Sequence, residues 1–301
     1  MSLNNVCVIG LGTMGMGAAK SCIKAGLKTY GGDISEKALN ELLAAGAVIS
    51  INPQEFASEL DAVLILVVNA AQVNSVLFGD GSGECLASKL KKGTPVMVSS
   101  TMSAQDAKDI AEKLGSYGLP MLDAPVSGGG VKANAGEMTV MASGETSVFE
   151  QLKPLLDAVA GKVYNIGAEI GLGSSVKIVH QLLAGVHIAV AAEAMAMAKK
   201  AGIPLDIMYD VVTNAAGNSW MFENRMAHVL SGDYTPLSAV DIFVKDLGLV
   251  TDTAKSLHFP IPLASTAYQM FTNASNAGYG RYDDSAVIMT FSGLDLPVNK
   301  H

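Results

Sequence analysis

Apolar residues enter this chain in two rhythms. Up to about residue 166, short apolar runs alternate with helical segments; beyond it the 3.6-residue helical period dominates. The first run is Val6-Cys7-Val8-Ile9, followed by a helix-like segment and a second short strand that ends at Asp33. Residues 47–51 come next, and then 61–68, which is apolar on both faces as a central parallel strand should be. Runs at 95–98, 120–122, 138–141 and 162–164 continue the series, with helical stretches such as 104–114 and 147–158 between them. This alternation predicts βαβ units and a doubly wound parallel sheet, an α/β architecture. From Gly171 the strand signals stop. Residues 174–201 form one long helical pattern without proline, ended by Gly202-Ile203-Pro204, and further helices are predicted near 205–215, 220–230, 239–256 and 264–277. The expected organisation is a sheet domain at 1–166 and an all-helical domain at 167–301, joined through a glycine-rich hinge and the long helix.

Length and composition agree with two domains: 301 residues, half of them hydrophobic. A net charge of −8, from 20 basic and 28 acidic residues, argues against a nucleic-acid partner, which requires a basic face. Three cysteines, Cys7, Cys22 and Cys85, make no C-x-x-C pair and no metal spacing, which suits a reducing compartment. The five histidines show no ligand spacing either, so no metal is expected. The N-terminal residues show no basic, apolar leader. Two uncharged stretches invite a membrane reading. Residues 62–79 contain Asn69, Gln72 and Asn74, and 178–192 is short for a span and carries His180, Gln181 and His187. The expectation is a soluble, cytoplasmic protein with no membrane partner.

The first strand runs directly into Gly10-Leu11-Gly12-Thr13-Met14-Gly15, a G-x-G-x-x-G with a strand before it, a helix after it and an acid, Asp33, about 20 positions on. That context makes it a dinucleotide-binding, Rossmann-like fingerprint. Gly10 permits the tight turn, Gly12 lets a pyrophosphate approach bare backbone, and Gly15 lets helix and strand pack closely. The helix N-terminus supplies free N–H groups to the phosphates. Asp33 accepts from a ribose 2′-OH and repels a 2′-phosphate, so NAD is the expected cofactor.

Ligands of such sheets lie beyond the carboxyl ends of the strands. Those ends place Val68, Asn69 and Thr101 along the cofactor, although Asn69 and Thr101 also suit turn and cap chemistry. They also place Ser127-Gly128-Gly129-Gly130, a run of exposed amides suited to a carboxylate, after Asp123-Ala124-Pro125. At the start of the long helix, Lys177, His180 and Gln181 are spaced to share one face at the domain junction. Uncharged neighbours surround Lys177, and desolvation lowers a lysine's pKa towards the range useful for proton transfer.

These residues resemble those of the β-hydroxyacid dehydrogenases, the family of hydroxyisobutyrate dehydrogenases, tartronate semialdehyde reductases and, more distantly, phosphogluconate dehydrogenases. Four motifs carry the likeness: GLGTMG at 10–15, DAPVSGG at 123–129, G-x-G-x-x-x-K at 171–177 and KDLGL at 245–249. The resemblance implies that Lys177 is the general acid/base, that Ser127, Gly128 and Gly129 hold a substrate carboxylate, and that Lys245 closes over the nicotinamide end. It implies substrate contacts for His180 and Gln181 too. Many relatives carry Asn at both positions, and phosphogluconate dehydrogenases carry His at the first. The change suggests a substrate richer in hydroxyls than hydroxyisobutyrate.

Residues 213–225, 233–249 and 274–288 resemble the L-threonate dehydrogenases of that family, which oxidise L-threonate at C2 to 2-oxo-tetronate with NAD. On this likeness Asn218, Ser219 and Trp220 line the far wall of the pocket, and the partner is a small sugar acid. The alternatives are a tartronate semialdehyde reductase and a non-catalytic dinucleotide-binding protein on the same fold. The small-residue long helix and the family likeness together imply a homodimer or homotetramer.

Overall fold

The computed structural model describes residues 3–79 and 84–298. The chain forms two compact units that divide between Lys177 and Ile178. In the first, β1 (Asn5–Ile9), α1 (Thr13–Lys24), β2 (Lys28–Gly32), α2 (Glu36–Ala44), β3 (Val48–Ser50), β4 (Ala62–Ile65), α3 (Ala70–Phe78), α4 (Leu86–Lys89), β5 (Val96–Val98), α5 (Ala104–Ser116) and β6 (Met121–Asp123) alternate as the apolar runs predict. Then come β7 (Val126–Ser127), α6 (Gly129–Ala135), β8 (Met138–Ser143), α7 (Thr146–Val159) and β9 (Ala160–Gly167). The sheet order is β3-β2-β1-β4-β5-β6-β8-β7, with β9 also on β8. Order 3-2-1-4-5-6 is that of the dinucleotide-binding fold.

Every pair from β3 through β6 is parallel. The far edge departs from the expected uniform sheet, because β8 runs antiparallel to β6 and to β7. The connection is the reason: β6 and β7 meet β8 in one continuous register, and the chain returns from Ser127 to Met138 through the short helix α6, too short a link for a parallel crossover. Alternate residues of the central strands enter separate cores. Val6, Val8 and Leu64 join one, and Cys7, Ile9, Val63 and Ile65 join the other, so both faces are covered.

The long helix α8 (Leu172–Lys200) opens in the first unit and continues into the second. At 29 residues it is long and apolar enough to cross a membrane by length and composition, and the uncharged stretch 178–192 is only part of it. Half of that apolar stretch is buried inside the protein. In the second unit, Ala192, Met195 and Ala196 of α8 pack in one core with residues of α9 (Leu205–Thr213), α10 (Trp220–Ser231), α11 (Val240–Ser256) and α12 (Pro262–Ala274).

One buried ion pair ties that helical core to the segment after α12. Arg225 Nε donates to Asp284 Oδ1 at 2.6 Å, and Asp284 is fully buried. Burial pushes the Asp284 carboxyl up to about 7, with Arg225 opposing the rise and Asp283 adding to it. A carboxyl whose folded pKa lies above its unfolded 3.8 takes up a proton on folding, so its contribution to stability falls as pH rises from about 4 to about 7. Arg225→Leu removes the chief opposing charge. Urea denaturation is expected to show a loss of ~3–5 kcal/mol at pH 8 and a smaller loss at pH 5; equal losses at both pH values contradict this account.

Candidate active site

The cofactor turn is held by close backbone packing. Gly10 has φ +90° and donates to Gly32 O at 2.9 Å, and a Cβ there would meet Leu66 O at 2.7 Å. A Cβ at Gly15 would lie 1.8 Å from Gly10 O, so α1 approaches its own turn too closely for any side chain. Gly12 caps α1 without a side-chain hydrogen bond and has nothing within 4 Å of a Cβ position. The first-turn amides of Thr13, Met14 and Gly15 have no intrahelical acceptor, and the dipole favours an anion there. Open space before Gly12 and an uncapped helix are the cradle a pyrophosphate needs. A cavity of about 330 Å³ adjoins it, lined by Leu11, Gly12 and Thr13 together with Met16, Lys20, Glu41 and Asn134.

Asp33 follows β2 directly. Its Oδ2 accepts from the Leu11 N–H at 2.6 Å and its Oδ1 from the Ser35 N–H at 2.8 Å. The carboxylate is thus fixed to the glycine turn, and each oxygen retains capacity for a further donor. Val68 is half exposed and its N–H donates to Gln72 Oε1. Asn69 caps α3, accepting from the Gln72 N–H at 2.9 Å. Thr101 lies just past β5, where Ser103 and Asp106 cap α5 reciprocally.

The arrangement around Lys177 starts from Asp123, the last residue of β6, which is 1% exposed. Its Oδ2 accepts from the N–H groups of Gly171 (3.0 Å) and Ser174 (2.9 Å) and from the Ser143 hydroxyl (3.3 Å), and its Oδ1 accepts from the Ser174 hydroxyl (2.7 Å). Ser143, at the end of β8, accepts in turn from the Gly173 N–H at 3.0 Å. Burial raises the Asp123 pKa while these hydrogen bonds lower it. The carboxylate therefore caps α8, and a Cβ at Gly173 would lie 2.5 Å from Met141 O. Lys177 stands one turn further along. It is buried, and its Nζ donates to Val126 O at 2.8 Å.

Ser127 ends β7 next to that carbonyl, and Gly128 (φ +128°) and Gly129 (φ +66°) lead into α6 with no side-chain cap. A Cβ at Gly130 would lie 2.5 Å from Thr13 Cγ2, so this loop packs onto the cofactor turn. The first unit thus brings together the glycine turn, the Ser127–Gly130 loop and the Lys177 amine.

In the second unit, Gln181 Nε2 donates to Asp246 Oδ2 at 2.5 Å, and Gln181 Oε1 lies 2.9 Å from His180 Nδ1. Lys245 Nζ is ion-paired with Asp246 Oδ1 at 2.7 Å. Asp246 is buried, although beside Lys245 it reads in the sequence as half of a surface pair. The available signal is its spacing, three residues after Phe243 and four before Val250, on the apolar face of α11. Asn218, Ser219 and Trp220 form the entry to α10. Ser219 caps it by accepting from Phe222 N–H, Asn218 Nδ2 donates to Thr213 O and Glu223 Oε2, and Trp220 is 55% exposed rather than a core aromatic. Among the described residues no group of three or more His, Cys, Asp or Glu could hold a metal.

The family model for the NAD binding domain of 6-phosphogluconate dehydrogenase matches residues 5–167, and that for the NAD-binding domain of NADP-dependent 3-hydroxyisobutyrate dehydrogenase matches 171–291. The chain is 72% identical to the L-threonate dehydrogenase of Haemophilus influenzae over 97% of both chains. It is 68% identical to the L-threonate dehydrogenase of Escherichia coli K12, over 97% of this chain and 96% of that one. A crystal structure described as 3-hydroxyisobutyrate dehydrogenase from Salmonella typhimurium is 65% identical and superposes with a TM-score of 0.91, covering 96% of this chain and all of the other. With the strand order and the uncapped glycine turn, these matches show that the chain belongs to the β-hydroxyacid dehydrogenase family and is an NAD-dependent oxidoreductase.

Proposed function

We propose that the protein oxidises the sugar acid L-threonate at C2 to 2-oxo-tetronate, with Lys177 as the general acid/base. The observation that carries this reading is the buried Lys177 amine, 2.8 Å from Val126 O and beside a glycine loop suited to a carboxylate. The relatives that match over nearly the whole chain are L-threonate dehydrogenases, which supports the substrate. NAD supplies the acceptor for the hydrogen that leaves C2 with its electron pair. The Lys177 amine takes the hydroxyl proton at Nζ, and Val126 O accepts an N–H before and after, so the nitrogen does not wander. The Ser127 hydroxyl and the amides of Gly128 and Gly129 bind the carboxylate, and Asp33 accepts from the adenosine ribose hydroxyl. Asn218, with its Oδ1 buried and lacking a hydrogen-bond partner, contributes with Ser219 and Trp220 to the far wall and takes a substrate hydroxyl. Lys245 is assigned to the nicotinamide end. The three-carbon reductive reaction and a purely binding role are not favoured by the relatives' names. The Salmonella structure's description makes 3-hydroxyisobutyrate the control substrate.

The proposal includes a homo-oligomer and a cytoplasmic location. Val179, Leu183, Val190 and Met197 form one exposed apolar stripe along α8, 52–74% exposed, which a second copy of the chain would cover. All three cysteines are free, and burial pushes the Cys7 and Cys22 thiols up to about 12, as suits a reducing compartment.

Two variants separate the roles. Lys177→Ala is expected to lower kcat on L-threonate by ~10²–10⁴-fold with NAD affinity retained. Asp33→Ala is expected to weaken NAD binding and admit NADP. Full activity in Lys177→Ala, or wild-type turnover of 3-hydroxyisobutyrate in preference to L-threonate, contradicts the proposal. Light scattering should find a dimer or tetramer that Leu183→Glu dissociates; a monomeric wild type contradicts the oligomer.

A further inference from the structure

A second lysine of the first unit is laid against the proposed carboxylate loop. Gly128 has φ +128°, and a Cβ there would lie 2.8 Å from both Cβ and Cδ of Lys132 and 3.2 Å from its Cγ. The stem of Lys132 therefore occupies the space that a side chain at Gly128 would need. Helix geometry produces this contact. Lys132 is the fourth residue of α6, and Cα–Cβ bonds tilt towards a helix's N-terminus, which returns the stem to the loop from which the helix starts. The stem covers backbone while the charged head stays in water, and Lys132 is accordingly exposed. Its ammonium is two bonds beyond a carbon that lies beside the loop. Among the described residues no carboxylate is paired with it.

We propose that Lys132 is a further binding group for the substrate carboxylate, its ammonium meeting the anion seated on Ser127, Gly128 and Gly129. The inference rests on the proposed assignment of that loop to a carboxylate, and not on which hydroxy acid carries it. Backbone amides give an anion a direction, but they are neutral dipoles whose pull is short-ranged. An ammonium adds a formal charge that reaches about 8–10 Å at ordinary salt, which matters in a chain whose net charge of −8 otherwise repels a small acid. A lysine suits the task as a compact charge with three donors on a flexible stem. It reads the carboxylate and not the hydroxyls, so it selects acids over neutral alcohols, aldehydes and amides. Gly128 is required twice, for its φ and for the room it leaves the stem.

Steady-state kinetics of the full-length enzyme at saturating NAD test this. Lys132→Ala is expected to lower kcat/KM on L-threonate about tenfold, chiefly through KM, and Lys132→Arg to keep most of the wild-type value. Raising NaCl from about 20 mM to about 300 mM should reduce the wild-type kcat/KM more than that of Lys132→Ala. Lys92→Ala removes the same charge before β5, at the opposite end of the sheet, and should leave KM within about twofold. An unchanged KM in Lys132→Ala, an equal loss in Lys92→Ala, an identical salt response or a larger loss of NAD affinity than of acid affinity overturns the proposal. Calorimetric titration of the NADH-loaded protein with L-threonate and with 3-hydroxyisobutyrate reads acid affinity without turnover, and Lys132→Ala should lose about tenfold on both. That loss in an enzyme inactive on L-threonate defeats the functional reading alone. An active L-threonate dehydrogenase whose acid affinities are unchanged in Lys132→Ala defeats the role of the lysine alone.

Discussion

A buried carboxylate at the end of β6 fixes the position of the proposed proton-transfer group. Asp123 is almost fully enclosed, and a charge in that setting is tolerated only when donors surround it. Four hydrogen bonds do so, three of them from Gly171 and Ser174 at the start of α8. The positive end of the helix dipole adds to the attraction. Helix and sheet are thereby locked in register, and the Lys177 amine one turn later meets the Val126 carbonyl. Asp123 and Val126 are three residues apart, so one strand–turn–strand unit both caps the helix and receives its lysine.

Close approach of bare backbone organises the other half of the site. Gly15 lets α1 close on the Gly10 carbonyl, and Gly130 lets the second loop seat on Thr13. The start of α1 and the loop before α6, neither with a side-chain cap, are therefore held together by the absence of side chains. The proposed function assigns these segments to phosphate and carboxylate, in a chain whose net charge is −8. Whole-chain charge bears on the class of partner, whereas short-range backbone dipoles decide where an anion sits.

Much of this was legible in the sequence because it follows from local chemistry. Runs apolar on both faces, such as Val6–Ile9, could only be covered parallel strands, and the glycine turn with Asp33 carried its own spacing. The antiparallel β7 and β8 were not legible, since two residues of strand after Ala124-Pro125 give no period to read. Asp123 and Asp246 were harder still. Gly171 and Ser174 lie 48 and 51 positions from Asp123, and Gln181 lies 65 from Asp246, and only the fold brings these donors in. Trp220, placed on the pocket wall by resemblance, opens α10 at 55% exposure and so takes no part in the core. The run of α8 was legible almost to its ends, predicted at 174–201 and found at Leu172–Lys200, because no proline breaks its period.

The central claim is that the Asp123 cap sets the Lys177 amine in place, and steady-state kinetics of Asp123→Asn on L-threonate tests it most directly. Asn offers one acceptor oxygen where four donors converge. The account predicts a fall in kcat of about 100-fold from displacement of Lys177, with NAD affinity held within about twofold. A variant that folds, binds NAD and turns over at the wild-type rate would contradict it.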